Sequence, residues 1–145
     1  MKLTSAEKTT EMLNTLRGVS DQCFNIDSPP ESEFSWRFEA GDVFILRFDP
    51  MLGIGFGPVV AYAICTPMNF LWQIATFPPY RGRGFATDLL KEIFEEYKGD
   101  IELTVRLDNA TAQMLYLKNG FRVVSVLRKY FPPEDGLLMR RVHVP

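Results

Sequence analysis

Apolar and polar positions along the chain change their period several times, and each change marks an element. Met12, Leu13 and Leu16 stand at helical spacing within Ser5 to Leu16 and predict a first helix that Gly18 stops. The stretch from Asn25 to Trp36, with Pro29-Pro30 and an acidic cluster, reads as a loop plus one short helix bearing Phe34. Gly41 then opens Asp42-Val43-Phe44-Ile45-Leu46-Arg47-Phe48, a β-rich run, and Val59 to Cys65 is a second. The two predict an antiparallel hairpin. Gly53, Gly55 and Gly57 between them have a Gly-x-Gly-x-Gly look, but an extended run follows where a dinucleotide-binding turn needs a helix, so that reading is excluded.

Asn69 to Phe77 predicts a third strand, and a helix from about Phe85 follows it. That helix carries Leu89, Leu90, Ile93, Phe94 and Tyr97 on one face and Lys91, Glu92, Glu95 and Glu96 opposite, a pattern suited to packing on a sheet. Ile101 to Leu107 alternates: Ile101, Leu103, Val105 and Leu107 share one side, Glu102, Thr104 and Arg106 the other. Strand, helix, strand implies a parallel, right-handed crossover, which makes this strand central. A polar row on a central strand implies a cleft. Asp108 or Asn109 caps a short helix to Asn119, Gly120 ends it, and strands from Arg122 to Arg128 and Leu137 to Val142 complete an α/β chain.

Composition narrows the function classes. The 145 residues fit a single domain over 1–145, with 46% apolar and 23% charged residues, an ordinary globular balance. A net charge of −2 gives no electrostatic reason to expect nucleic acid. Cys23 and Cys65 lie far apart and His143 is the single histidine, so neither a disulfide framework nor a metal site is expected. The amino-terminal residues lack a hydrophobic signal core and the longest apolar run, Val59 to Cys65, is too short to span a bilayer; a cytoplasmic protein without a membrane partner is expected.

The segment Thr76-Phe77-Pro78-Pro79-Tyr80-Arg81-Gly82-Arg83-Gly84-Phe85-Ala86 carries the chemistry. A strand ends, the chain turns on two glycines and a helix starts, so backbone N–H groups and the positive helix end converge on one spot fit for a multiply charged anion. The Arg-x-x-Gly-x-Ala order, with Ile74-Ala75-Thr76 before it and Asn109, Tyr116 and Gly120-Phe121 after it, resembles the GCN5-related N-acetyltransferases, which move acetyl from acetyl-coenzyme A to an amine. From Leu103 to Ala112, and again at Arg128-Lys129-Tyr130-Phe131-Pro132 and Glu134-Asp135-Gly136, the chain is similar to the branch that acetylates protein amino termini, the ribosomal-protein alanine acetyltransferases among them. The match covers about Ile74 to Met139.

The resemblance implies a mixed, mostly antiparallel central sheet with a V-shaped split between two parallel strands and helices on both faces. It implies that Arg81, Gly82, Arg83, Gly84, Phe85 and Ala86 hold the coenzyme A pyrophosphate, and that backbone groups of Ile74, Ala75 and Thr76 bind the pantetheine arm, with Thr76 N–H an oxyanion donor. Asn109 contacts the arm, caps a helix, or does both. Tyr116 aligns with the general acid that attends the coenzyme A sulfur; the other reading of it is an aromatic in the core. Tyr130 aligns with a tyrosine that holds the substrate backbone, while Phe131 replaces a second tyrosine. Trp36, Phe34 and Tyr62 are either acceptor-pocket residues or core.

One position departs from the pattern. Thr104 stands in the acceptor site where relatives carry a glutamate or histidine base, and threonine cannot take a proton near neutral pH. Glu102, about 6.6 Å along the same strand side, is a substitute base or else a solvated or salt-bridged carboxylate. An α-amine of pKa near 8 is about one-tenth neutral at pH 7, which costs about 1.4 kcal/mol, against nearly 5 kcal/mol for a lysine at about 10.4. The expected acceptor is therefore a peptide or protein amino terminus, with a small-molecule amine as the rival acceptor and coenzyme A binding without turnover as the rival class. Direct attack needs no cysteine. The expected assembly is a monomer or homodimer.

Overall fold

The computed structural model describes residues 1–24 and 28–144. Four helices, α1 (Thr10–Phe24), α2 (Glu31–Ala40), α3 (Phe85–Glu96) and α4 (Ala110–Lys118), pack on six strands, β1 (Asp42–Asp49), β2 (Gly53–Thr66), β3 (Phe70–Thr76), β4 (Ile101–Arg106), β5 (Arg122–Phe131) and β6 (Glu134–Arg141). The sheet runs β1-β2-β3-β4-β6-β5, with every pairing antiparallel except β3 with β4. This is the expected mixed α/β sheet.

Side-chain alternation sorts the core into two layers. Phe44 and Leu46 of β1 and Ala61 and Ala63 of β2 point to one face, where Phe85, Leu89, Leu90 and Ile93 of α3 and Tyr116 of α4 cover them. Val43, Ile45, Tyr62 and Ile64 point to the other, under Leu16 and Val19 of α1 and Phe34 and Phe38 of α2. The helix faces read from the sequence thus find their sheet.

Several boundaries differ from the expected ones. Ser5–Glu7 is a 3-10 turn, and α1 starts afresh at Thr10, where Thr9 Oγ1 accepts from Met12 N–H at 3.1 Å. Gly18 does not stop that helix, which runs on to Phe24. A helical glycine costs about 1 kcal/mol, and the burial of Leu16, Val19 and Ser20 on one stripe outweighs it. The start of the expected loop, Asn25 to Asp27, lies outside the described residues; the helix bearing Phe34 continues to Ala40 because Phe38, one turn on, is buried as well. β2 begins at Gly53, ahead of Val59, because the ladder slips between Phe48↔Ile54 and Arg47↔Val59 and absorbs the glycines. Gly57 is required there: its φ is +78°, and a Cβ would lie 2.7 Å from the Phe48 carbonyl oxygen.

Candidate functional site

β3 and β4 are in register at one pair only, Phe70↔Glu102, with Glu102 N–H donating to the Asn69 carbonyl at 3.1 Å. Beyond that point the strands part, as the V-shaped split requires. Which backbone groups face the gap follows from the antiparallel ladder on the other side of β3. Phe77 N–H donates to Val60 O at 2.8 Å, so the next pair, Ala61↔Thr76, is non-hydrogen-bonded and Tyr62↔Ala75 is hydrogen-bonded. Ile74 and Thr76 therefore turn their N–H and C=O groups to the gap, whereas Ala75 spends its own on β2. Of the three residues expected to offer backbone to a bound arm, Ala75 contributes only wall.

Two cavities of about 510 and 560 Å³ occupy the gap and share Phe24, Ile74, Asn109, Ala112 and Tyr116 as walls. The larger holds the expected cradle: Thr76, Tyr80, Arg81, Gly82, Gly84, Phe85 and Ala86 line it. Gly84 is the N-cap of α3 at φ +82°, with no side-chain cap. The first intrahelical bond is Asp88 N–H to Gly84 O at 3.1 Å, which leaves the amides of Phe85, Ala86 and Thr87 without intrahelical acceptors. Open space lies in front of both Gly82 and Gly84, so an anion can approach the backbone. Uncapped amides and a positive helix end fit a pyrophosphate. Arg81 Nε donates to Thr76 O at 3.3 Å on the cavity rim. Arg83 does not line the cavity; its guanidinium lies over the Tyr80 ring at 5.6 Å.

Tyr116 stands at the junction of the two cavities. Its ring packs edge-on against Phe121 at 5.7 Å, which reconciles the core and catalytic readings: the ring is core while the residue borders both spaces. Burial pushes its phenol up to about 12, so it holds its proton throughout the neutral range. Asn109, and not Asp108, caps α4, with Oδ1 accepting from Ala112 N–H at 3.1 Å. Asp108 is taken by Arg106 at 3.0 Å. Asn109 also borders both cavities, so capping and a ligand contact are compatible.

The smaller cavity opens on the side away from the cradle, and Thr104, Arg106, Tyr130, Phe131, Trp72, Glu33 and Arg37 form much of its wall. Tyr130 reaches it because β5 and β6 extend to Phe131 and Glu134, beyond the expected ends at Arg128 and Leu137, and carry the aromatic pair on the hairpin end. Glu102, the substitute base expected from the sequence, lines neither cavity, and its Oε2 accepts from Arg140 Nε at 2.8 Å and Nη2 at 2.6 Å, so the salt-bridged alternative describes it. Phe34 and Tyr62 are fully buried core, with the Tyr62 hydroxyl donating to Gln73, whose Nε2 donates to Ser20 Oγ at 3.1 Å. Trp36 does not line the cavity either.

Sequence reasoning missed Cys23, Phe24, Glu33, Arg37 and Trp72. Cys23 lines the cradle cavity and donates its Sγ–H to Thr76 O at 3.4 Å, while burial pushes the Cys65 thiol up to about 12. Among the described residues no cluster of three or more His, Cys, Asp or Glu is arranged for a metal ion, and no helix is long and apolar enough to cross a membrane.

The sheet is thus mixed and parted at its one parallel pair, with a glycine-turned amide cradle lining one cavity of the gap and polar and aromatic side chains lining the other. Residues 10–121 match the family described as Acetyltransferase (GNAT) family, and the chain belongs to it. It is 34% identical over 95 residues to the N-alpha-acetyltransferase RimI of Mycobacterium tuberculosis, a match covering 59% of this chain and 60% of that protein. Such matches span less than two-thirds of the length of the first curated relatives. The fold is similar to the crystal structure of the ribosomal-protein-S18-alanine N-acetyltransferase from Escherichia coli, with TM-score 0.77, 22% identity, and coverage of 100% of this chain and 96% of that one. It is also similar to the structure of yncA from Salmonella typhimurium with its cofactor acetyl-CoA, at TM-score 0.69, 15% identity, and coverage of 100% of this chain and 93% of that one.

Proposed function

We propose that this protein transfers acetyl from acetyl-coenzyme A to the α-amine of a peptide or protein amino terminus, by direct attack within a ternary complex. The observation that carries the reading is the pair of cavities meeting at Tyr116, one walled by the amide cradle and the other by polar and aromatic side chains. The sequence relationship to N-alpha-acetyltransferases supports the acceptor class.

Acetyl-coenzyme A supplies an activated thioester carbonyl when bound. The amides of Phe85, Ala86 and Thr87, with Gly82, Gly84 and the Arg81 side chain beside them, bind the pyrophosphate. Ile74 and Thr76 orient the arm through their gap-facing backbone, and Thr76 N–H donates to oxygen where negative charge develops. Tyr116 keeps its proton and donates a hydrogen bond toward the departing thiolate. A phenol at about 12 does not release its proton downhill to a thiol near 8.5, so its contribution is electrostatic and solvent completes the protonation. Thr104 takes no proton, and the acceptor must enter neutral. Such a site tolerates an α-amine far better than a lysine.

Purified protein with acetyl-coenzyme A, a library of short peptides with free amino termini, terminally blocked lysine peptides and common small amines tests this by thiol release and product mass. Acetylation of peptide amino termini is expected. Lysine peptides acetylated as fast as matched free termini would overturn the reading, as would turnover confined to small amines, or cofactor binding with no turnover at all.

A further inference from the structure

Arg37 on α2 lines the smaller cavity in an unusual state for an arginine. Its guanidinium carbon lies 4.7 Å from the ring centroid of Trp36 and 5.4 Å from that of Trp72, the two tryptophans of the chain. Two aromatic rings hold the cation in place by cation–π attraction without using its hydrogen-bond donors. Glu33, one turn back on α2, forms a loose ion pair with it, Oε1 to Nη2 at 3.6 Å, too long for a hydrogen bond. Nε is buried and has no partner among the described residues. A positioned guanidinium with donors left over is the group that recognises a carboxylate through paired N–H···O bonds.

The charge of the wall points the same way. Among the described residues, the charged ones lining this cavity are Glu33, Arg37 and Arg106, with Arg106 engaged by Asp108 at 3.0 Å and stacked over Phe131 at 5.9 Å. Arg106 is thus neutralised at close range, whereas Glu33 meets Arg37 only at 3.6 Å, so Arg37 is where an acceptor that brings an anion with it would find donors. We propose that Arg37 is a specificity-determining residue that binds a carboxylate carried by the acceptor a few bonds from its reacting amine. The inference rests on the proposed amine acetylation, and names the acceptor chemistry of the same site. The carboxylate comes either from an acidic second residue of a peptide or from the α-carboxylate of a free amino acid.

The test uses the full chain with acetyl-coenzyme A and three peptides alike except at the second position, Ala-Asp, Ala-Ala and Ala-Arg, alongside free alanine and alaninamide. Ala-Asp is expected to exceed Ala-Ala in kcat/KM by about tenfold or more, with Ala-Arg lowest. Alanine exceeding alaninamide while the peptides are poor would assign the carboxylate to an amino acid and equally support the role. In Arg37→Gln the ratio between carboxylated and neutral acceptors falls to within about twofold, and Arg37→Lys, which keeps the charge without the fork, gives an intermediate ratio. Both tryptophans flank Arg37, so tryptophan emission reports occupancy independently of turnover. Ala-Asp peptide or alanine added without acetyl-coenzyme A should change it, and the neutral analogues should not. A carboxylate-dependent emission change without acetylation of anything would keep this role and overturn the proposed activity. Acetylation with equal kcat/KM across all acceptors, or a preference that survives in folded Arg37→Gln, would overturn the role and leave the activity standing.

Discussion

Tyr116→Phe isolates one oxygen. The ring lies edge-on to Phe121 at 5.7 Å, and phenylalanine keeps that packing, so the variant should fold with stability within about 1 kcal/mol of the parent. On the proposed mechanism, what it loses is a donor to negative charge that grows only during reaction. Removing one such preorganised donor from a water-poor site costs about 2.7–4 kcal/mol, so kcat is expected to fall about 10²–10³-fold. The affinity for acetyl-coenzyme A should barely move, because the cradle residues are untouched. The pH profile adds a sharper check. With no base in the site, kcat/KM of the parent rises with unit slope to about pH 8, following the neutral fraction of the α-amine. The donor is the protonated phenol, and burial raises it from 10.0 to about 12, so activity holds its plateau at pH 10 and declines only as pH approaches 12. Thiol release measured from pH 6 to 11 for both proteins decides the matter. A variant within threefold of the parent, or a parent decline centred near pH 10, would refute the assignment.

Gly84→Ala places a side chain at φ +82°, which is expected to cost about 1–2 kcal/mol in urea unfolding and to weaken acetyl-coenzyme A binding measured by calorimetry. Glu102→Gln is expected to keep kcat within about threefold of the parent, since Arg140 holds that carboxylate outside both cavities; a loss beyond a hundredfold would restore it as the base. Burial raises the phenols of Tyr62, Tyr97 and Tyr116 alike, so their contribution to stability is complete below the unfolded value near 10 and is lost as pH rises from there through the folded values. Urea midpoints should therefore drop above about pH 10, and drop less in Tyr116→Phe.

The second half of the chain was the more legible. The alternation of Ile101 to Leu107 and the apolar stripe of α3 state their own burial, and the glycines at 82 and 84 mark a turn whose chemistry follows from the peptide group. The first half hid more. Gly18 looked like a stop because a local rule was read against a tertiary gain, yet Leu16, Val19, Ser20 and Cys23 continue the i, i+3, i+4, i+7 stripe past it and carry the signal of the longer helix. Arg37 and Trp72 were invisible for a different reason. They sit on separate elements, α2 and β3, and only the packing of helix on sheet brings a guanidinium between two indoles. The alternation that put Glu102 on the side of Thr104 was sound, but Arg140 comes from β6, and no pattern within β4 announces a partner across the ladder.

The two mouths of the gap draw on different parts of the chain. The cradle cavity is lined by β3, the turn after it, α3, α4 and the end of α1, while the other cavity adds α2 and the β5–β6 hairpin end, neither of which lines the first among the described residues. If the proposed roles hold, substitutions at Glu33, Arg37, Tyr130 or Phe131 would change which amine enters without disturbing how the acyl donor is held, and an engineer seeking a new acceptor would randomise α2 and the hairpin end and leave residues 74–87 alone.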